Sequence, residues 1–217
     1  MKFFVDTANL DQIKEAQDLG VLDGVTTNPT LMAKEGITGH DNILKHYVNI
    51  CNVIDGDVSA EVIATDFDGM IKEGEELTAL NSQIVVKLPM IKDGVKACKY
   101  FSERGVKINM TLVFSPGQAI LAAKAGATYV SPFIGRLDDI STDGLNLIGE
   151  IRLIYDNYGY ETQILAASVR HTMHIVDCAK LGADVITGPL SAIEGLLKHP
   201  LTDIGLANFL ADHKKGN

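Results

Sequence analysis

The chain has no tryptophan, only three cysteines, and an aromatic content of 6 % in 217 residues. Cys51, Cys98 and Cys178 are odd in number, form no C-x-x-C pair and have no histidine at ligand-like spacing. That argues against a disulfide framework, gives no metal site, and points to a reducing compartment, the cytoplasm. No run of lysine and arginine occurs and the net charge is −9, so the footprint of a nucleic-acid binder is missing. An anionic small substrate stays admissible where a few cations gather locally. No apolar run approaches the length of a membrane span, and the first residues lack the apolar core of a signal peptide. Linkers and low-complexity stretches are absent too, so residues 1–217 read as one domain. Its 46 % hydrophobic content is enough for a sizeable core.

What is present is an alternation repeated eight times. Short apolar runs occur at Lys2–Thr7, Gly24–Pro29, Val58–Ile63, Ile84–Pro89, Lys107–Phe114, Thr128–Gly135, Gln163–Ser168 and Val185–Leu190. Segments with helical period separate them. Asn9 is placed to cap the first, with Gly20 as its stop, and Thr65 with Asp68 to open the third. Ser115-Pro116-Gly117-Gln118 and Ser191 with Glu194 have the spacing of capping boxes, the latter helix stopping near Pro200. Residues 201–217 make a final amphipathic helix and tail. Strand and helix alternating eight times predict an α/β fold, the closed (β/α)8 or TIM barrel. An open doubly wound sheet is the runner-up, but Asp6-Thr7-Ala8-Asn9 is not the glycine-rich turn it calls for.

Ile84-Val85-Val86-Lys87-Leu88-Pro89 carries the chemistry. It reads as a strand buried on both faces, with a lysine one step before its end. Burying an ammonium is costly unless it is paired or loses its proton, and the neutral amine is a nucleophile toward carbonyl carbon. A barrel gathers its site at the C-terminal ends of the strands. The late polar residues there are Asp6, Asn28, Glu61, Lys87, Asn109, Thr111, Ser131 and Ser168, with Phe133, Arg136 and Arg170 close by. Alternation sends Val85 and Lys87 inward while Ile84, Val86 and Leu88 face the helices. The same parity turns Ser59, Glu61, Asn109 and Thr111 inward, and Met110 and Leu112 outward. Taken singly, Asp6 and Asn28 are as readily turn or helix caps, and the arginines solvated surface charges.

The motifs V-D-T-A, T-T-N-P-T, A-E-V, V-V-K-L-P, N-M-T-L-V-F-S, S-P-F-I-G-R and A-A-S-V-R occur in that order over nearly the whole chain. In this the sequence resembles the short transaldolases, the subfamily that also contains fructose-6-phosphate aldolase. The resemblance implies a (β/α)8 barrel that needs no metal or organic cofactor, working in the cytoplasm on sugar phosphates of the pentose phosphate pathway. It implies that Lys87 forms a Schiff base, that Asp6 is the acid/base at the C4 hydroxyl, and that Glu61 and Thr111 hold a water. Asn28, Asn109 and Ser131 are then expected to bind the dihydroxyacetone portion, and Arg136, Ser168 and Arg170 the phosphate. Where the aldolases carry glutamine and tyrosine this chain has Glu61 and Phe133, which favours transfer over release of dihydroxyacetone. Homo-oligomers, pentamers or decamers, are a further implication. Rival readings are the aldolase itself and a non-catalytic barrel that binds sugar phosphates; the second has no use for Lys87 beside Glu61 and Asp6.

Overall fold

The computed structural model describes residues 1–215, so the final two residues of the expected tail lie outside it. Its eight parallel strands close on themselves in sequence order. The first four are β1 (Lys2–Asp6), β2 (Gly24–Thr26), β3 (Asp57–Glu61) and β4 (Ile84–Pro89). The second four are β5 (Ile108–Val113), β6 (Tyr129–Pro132), β7 (Gln163–Ala166) and β8 (Val185–Gly188). β1 pairs with both β2 and β8, which closes the barrel and leaves no open sheet edge.

Alternation sorts the side chains into two cores. Ile84, Val86 and Leu88, with Val58, Ala60, Val62, Ile108 and Met110, belong to the large cluster between sheet and helices. Val85 belongs to the small cluster inside the barrel, together with Phe4, Tyr129, Leu165, Ala167 and Val185. Phe4 and Tyr129 meet edge to face with centroids 5.8 Å apart, a packed floor rather than a pore. Gly24 makes room for it, since a Cβ there would sit 2.6 Å from the Phe4 ring.

Helices cover the outside: α1 (Leu10–Asp18), then α2 (Pro29–Lys34), α3 (His40–Cys51), α4 (Phe67–Thr78) and α5 (Lys92–Ser102). After them come α6 (Pro116–Lys124), α7 (Ile134–Asp138), α8 (Gly144–Tyr158), α9 (Thr172–Lys180), α10 (Leu190–Glu194) and α11 (Pro200–Lys215). Asn9 caps α1 by accepting from the N–H groups of Asp11 and Gln12, and Gly20 follows at φ +72°. Ser115 caps α6 through the Gln118 N–H, while the Gln118 side chain reaches back one residue further than expected, to the Phe114 N–H.

Other local expectations need correction. The cap of α4 is Asp66, whose carboxylate accepts from Gly69 N–H, and not Thr65. Ser191 caps nothing: α10 begins before it, behind Pro189, and has no side-chain cap. The helical run after Pro189 ends at Leu197, near Pro200 as expected, and Pro200 itself starts the next helix, where its missing N–H is unneeded in the first turn. Two short helices the sequence did not announce, α2 and α7, begin at Pro29 and Ile134, inside the apolar runs Gly24–Pro29 and Thr128–Gly135. The final helix is not one-sided: Leu201, Ile204, Leu206, Phe209 and Leu210 lie at angles spread round its axis and all are exposed.

Candidate active site

The register brings the polar strand ends together. Glu61 lies beside Lys87, and Lys87 beside Asn109, in adjacent ladders. Lys87 is only 5 % exposed, yet its charge is answered: Nζ lies 3.0 Å from Glu61 Oε2 and donates to the Thr27 carbonyl at 2.9 Å. Removing an ammonium from water is tolerated only with such partners.

Asp6, at the end of β1, accepts from the Thr26 hydroxyl at 2.7 Å. Thr26 has one proton to give, so Thr187 on β8, 2.6 Å away, supplies the second bond of the relay. Burial raises the Asp6 carboxyl above its ordinary value, opposed by the Lys87 charge and the Thr26 hydroxyl. A carboxyl held that way keeps a proton more readily than a free one, a property that a general acid or base can use.

These groups open into a cavity of about 610 Å³ at the C-terminal mouth. It is lined by the cations Lys34, Lys87, Arg136 and Arg170 and by the carboxylates Asp6 and Glu61. A local positive excess therefore exists in a chain of net charge −9. A groove of about 640 Å³ also runs over the outer helices past Phe67, Tyr100 and Leu121. None of the paired strand-end groups lines it, so the mouth is the candidate site.

At the β6–β7 side, Arg136 lies with its guanidinium 5.1 Å from the Phe133 ring centroid, a cation–π contact. Arg170 reaches across Gly135, where a Cβ would come within 2.8 Å of its Nε, and pairs with Asp139 at 2.6 Å. Its backbone N–H donates to His174 Nδ1 at 3.3 Å, while His174 Nε2 faces Asp138 at 3.2 Å. Burial lowers the His174 pKa, as does neighbouring His171, and a neutral ring gives one acceptor and one donor nitrogen to match. Ser168, between the arginines' elements, holds φ +60°, a costly conformation for a residue with a Cβ.

The sequence profile of the transaldolase/fructose-6-phosphate aldolase family matches residues 3–215. A probable transaldolase of Flavobacterium psychrophilum is 79 % identical over all 217 residues of both chains. Probable transaldolases of Cytophaga hutchinsonii and Phocaeicola vulgatus are 71 % and 70 % identical, each over the full length of both proteins. The chain belongs to the transaldolase/fructose-6-phosphate aldolase family. It is an enzyme of a family that processes sugar phosphates.

Of the residues expected at this family site, nine line the cavity: Asp6, Asn28, Glu61, Lys87, Ser131, Phe133, Arg136, Ser168 and Arg170. Asn28 is at once a helix cap, its Oδ1 accepting from Leu31 N–H at 3.0 Å, which leaves its amide N–H groups for a ligand. Asn109 and Thr111 are fully buried and do not line the cavity. Asn109 donates to Ser59 Oγ at 3.1 Å and accepts from Ser131 Oγ at 2.8 Å, so it acts on the cavity through Ser131. The Thr111 hydroxyl is buried without a protein partner. Leu112, expected to face the helices, lines the cavity instead. Its φ of +60° and the register shift between Met110 and Val113 form a bulge that breaks the two-residue period. Phe133 stands just past β6, at the N-terminus of α7, with its ring edge-on to Phe114.

Thr187 and Lys34 were missed. Thr187 was legible by the rule applied to the other strands, a late polar residue in Val-Ile-Thr-Gly. Lys34 follows Thr30 and Leu31 on one face of α2, a helix the sequence did not announce. Among the described residues no cluster of three or more His, Cys, Asp or Glu is placed to hold a metal ion.

Proposed function

We propose that the protein is a transaldolase. It moves a dihydroxyacetone unit from a ketose phosphate, such as fructose 6-phosphate or sedoheptulose 7-phosphate, to an aldose phosphate. The observation that carries this reading is the buried Lys87 amine, 3.0 Å from a carboxylate at the floor of a cation-rimmed mouth.

The substrate phosphate docks on Arg136, Ser168 and Arg170. Arg170 is free to take it because its pair with Asp139 is half exposed on both sides, an arrangement worth about 0–1 kcal/mol. A phosphate gives charge-assisted, bidentate bonds in its place. Glu61 accepts a proton from the Lys87 ammonium, and the amine attacks the C2 carbonyl. Proton return through Glu61 expels water and leaves a protonated imine. The orphaned Thr111 hydroxyl fits a role in holding that water, because buried hydroxyls without a protein partner usually have an ordered water.

Asp6 then takes the C4 hydroxyl proton, the C3–C4 bond breaks into the imine, and an aldose phosphate leaves. The imine is the electron sink, so this chemistry calls for no metal. Ser131 gives its proton to Asn109 and offers its lone pairs to a hydroxyl of the three-carbon enamine, while Asn28 offers amide N–H groups. A second aldehyde enters, takes back the proton from Asp6 as the new bond forms, and hydrolysis frees Lys87.

Phe133 favours transfer over release of dihydroxyacetone. Its phenyl ring has no proton to give the enamine carbon, and it packs on Phe114 and under Arg136. A phenol in its place adds a donor with little change in volume.

A reducing, cytoplasmic setting accords with three unpaired cysteines, whose burial pushes the Cys51 thiol to about 11 and those of Cys98 and Cys178 to about 12. No helix among the described residues is long and apolar enough to cross a membrane. A homo-oligomer accords with α11, whose apolar side chains are left in water by its own barrel.

Incubation with fructose 6-phosphate and borohydride, followed by peptide mass spectrometry, tests the assignment. A reduced three-carbon adduct on Lys87 is expected, with little free dihydroxyacetone until Phe133→Tyr is introduced. Wild-type release of dihydroxyacetone as fast as transfer replaces this reading with the aldolase; an adduct on another lysine refutes both.

A further inference from the structure

In a parallel ladder, hydrogen bonds run alternately from one strand to the other. With Thr26 opposite Ser59, the Thr27 N–H donates to the Ser59 carbonyl at 3.4 Å. The next bond in that series runs from the Glu61 N–H to the Thr27 carbonyl. It is not made. The Glu61 N–H donates instead to Tyr47 Oη at 3.3 Å, and the Thr27 carbonyl accepts from Lys87 Nζ at 2.9 Å.

We propose that Tyr47 is a positioning residue for Lys87. Its phenol oxygen takes the backbone N–H that would close the β2–β3 ladder, and so leaves the Thr27 carbonyl to the lysine amine. This rests on the reading of Lys87 as the imine-forming lysine. Tyr47 comes from α3, on the helical side of the sheet, and is 2 % exposed among the residues of the outer core. The Thr27 hydroxyl reaches the same phenol oxygen at 3.2 Å, so one atom of α3 ties down the ends of both strands. Burial raises the phenol pKa, which keeps it neutral through the working range.

The consequence lies in where the amine points. In the resting state Lys87 has two acceptors, Glu61 Oε2 at 3.0 Å and the Thr27 carbonyl at 2.9 Å. Once a proton has passed to Glu61, the carbonyl still holds one N–H, and the lone pair is fixed rather than free to rotate. A nucleophile held in its attack geometry gains rate without gaining substrate affinity. A carbonyl has two lone pairs, and with the Glu61 N–H held by Tyr47 the Thr27 carbonyl has Lys87 in place of its ladder donor.

Tyr47→Phe tests this, because it removes one oxygen, keeps the ring and leaves the packing of α3 in place. The rate at which borohydride traps the fructose 6-phosphate adduct on Lys87, and with it kcat, is expected to fall about ten-fold, the worth of one ordinary hydrogen bond, with KM within two-fold. A structure of the variant is expected to show the Glu61 N–H closed onto the Thr27 carbonyl. Wild-type trapping at an unchanged rate in a folded Tyr47→Phe protein overturns the proposal. So does a loss shared equally by kcat and KM, which marks general distortion of the mouth. If the wild-type adduct lies on Lys87 and the variant is unaffected, only the role of Tyr47 fails; an adduct elsewhere removes the mechanism and this inference together.

Discussion

Replacing Lys87 with methionine separates the chemical from the structural role of the buried amine. The change removes an ammonium with two partners, Glu61 at 3.0 Å and the Thr27 carbonyl at 2.9 Å, and refills most of its volume. Orphaning one member of a fully buried ion pair costs about 3–5 kcal/mol. Glu61 is less confined than that: its side chain keeps 16 % exposure and lines the open mouth, so water answers part of its charge. Losing a buried ammonium also returns its own desolvation. The balance is a destabilisation of about 1–3 kcal/mol, or a fall in Tm of about 2–12 °C for a domain of this size. Adding Glu61→Gln then recovers most of it, since an amide needs no counter-ion, and the two changes are strongly non-additive. Transfer from fructose 6-phosphate is abolished in both variants while the fold is retained. Calorimetry of the wild type, both single variants and the double, beside a coupled transfer assay, checks each part. A Lys87→Met protein that still transfers refutes the mechanism. A double variant less stable than Lys87→Met refutes the account of the pair.

Asp6 binds its proton more tightly in the folded than in the unfolded chain, because burial raises it above 3.8, so its contribution disfavours folding as pH rises through the folded value. Asp6→Asn is therefore expected to lose transfer activity yet to be more stable than wild type at pH 7, an advantage that shrinks as pH falls toward 3.8; unfolding midpoints across that range check the sign. Arg170→Ala is expected to raise the KM for phosphorylated acceptors about ten- to a hundred-fold, and far less for non-phosphorylated ones, from the loss of a charge-assisted contact. Asp139→Asn, by freeing Arg170 from its pair, lowers the same KM about two- to five-fold, and steady-state kinetics on both acceptor types test the two together. The intact chain is expected to run well above 23.4 kDa in light scattering and to lose mass when residues 201–217 are deleted; an intact chain at monomer mass contradicts this.

The sequence by itself determined the barrel and the identity of most mouth residues, because both follow from short-range periods. Val85 and Lys87 face inward and Ile84, Val86 and Leu88 outward for no reason beyond the alternation of a pleated strand. Ser115 and Asn9 start helices through side chains that act within three residues of themselves. Tertiary structure decided everything that depends on closure. Leu112 turns to the cavity because β5 must shift register to stay paired with β6, and no local pattern encodes that shift. Asn109 turns out to serve Ser131, and Arg170 to rest on Asp139, because barrel closure brings strands and loops into contact across long stretches of sequence. By helical period Tyr47 is one more residue of the buried face of α3, with Ile50 and Cys51. Its hydroxyl meets the Thr27 hydroxyl and takes the Glu61 N–H, and the ladder bond it replaces exists as a possibility only once β2 and β3 are in register. Period and capping are carried by neighbours along the chain; which acceptor a strand-end N–H finds is carried by neighbours in space.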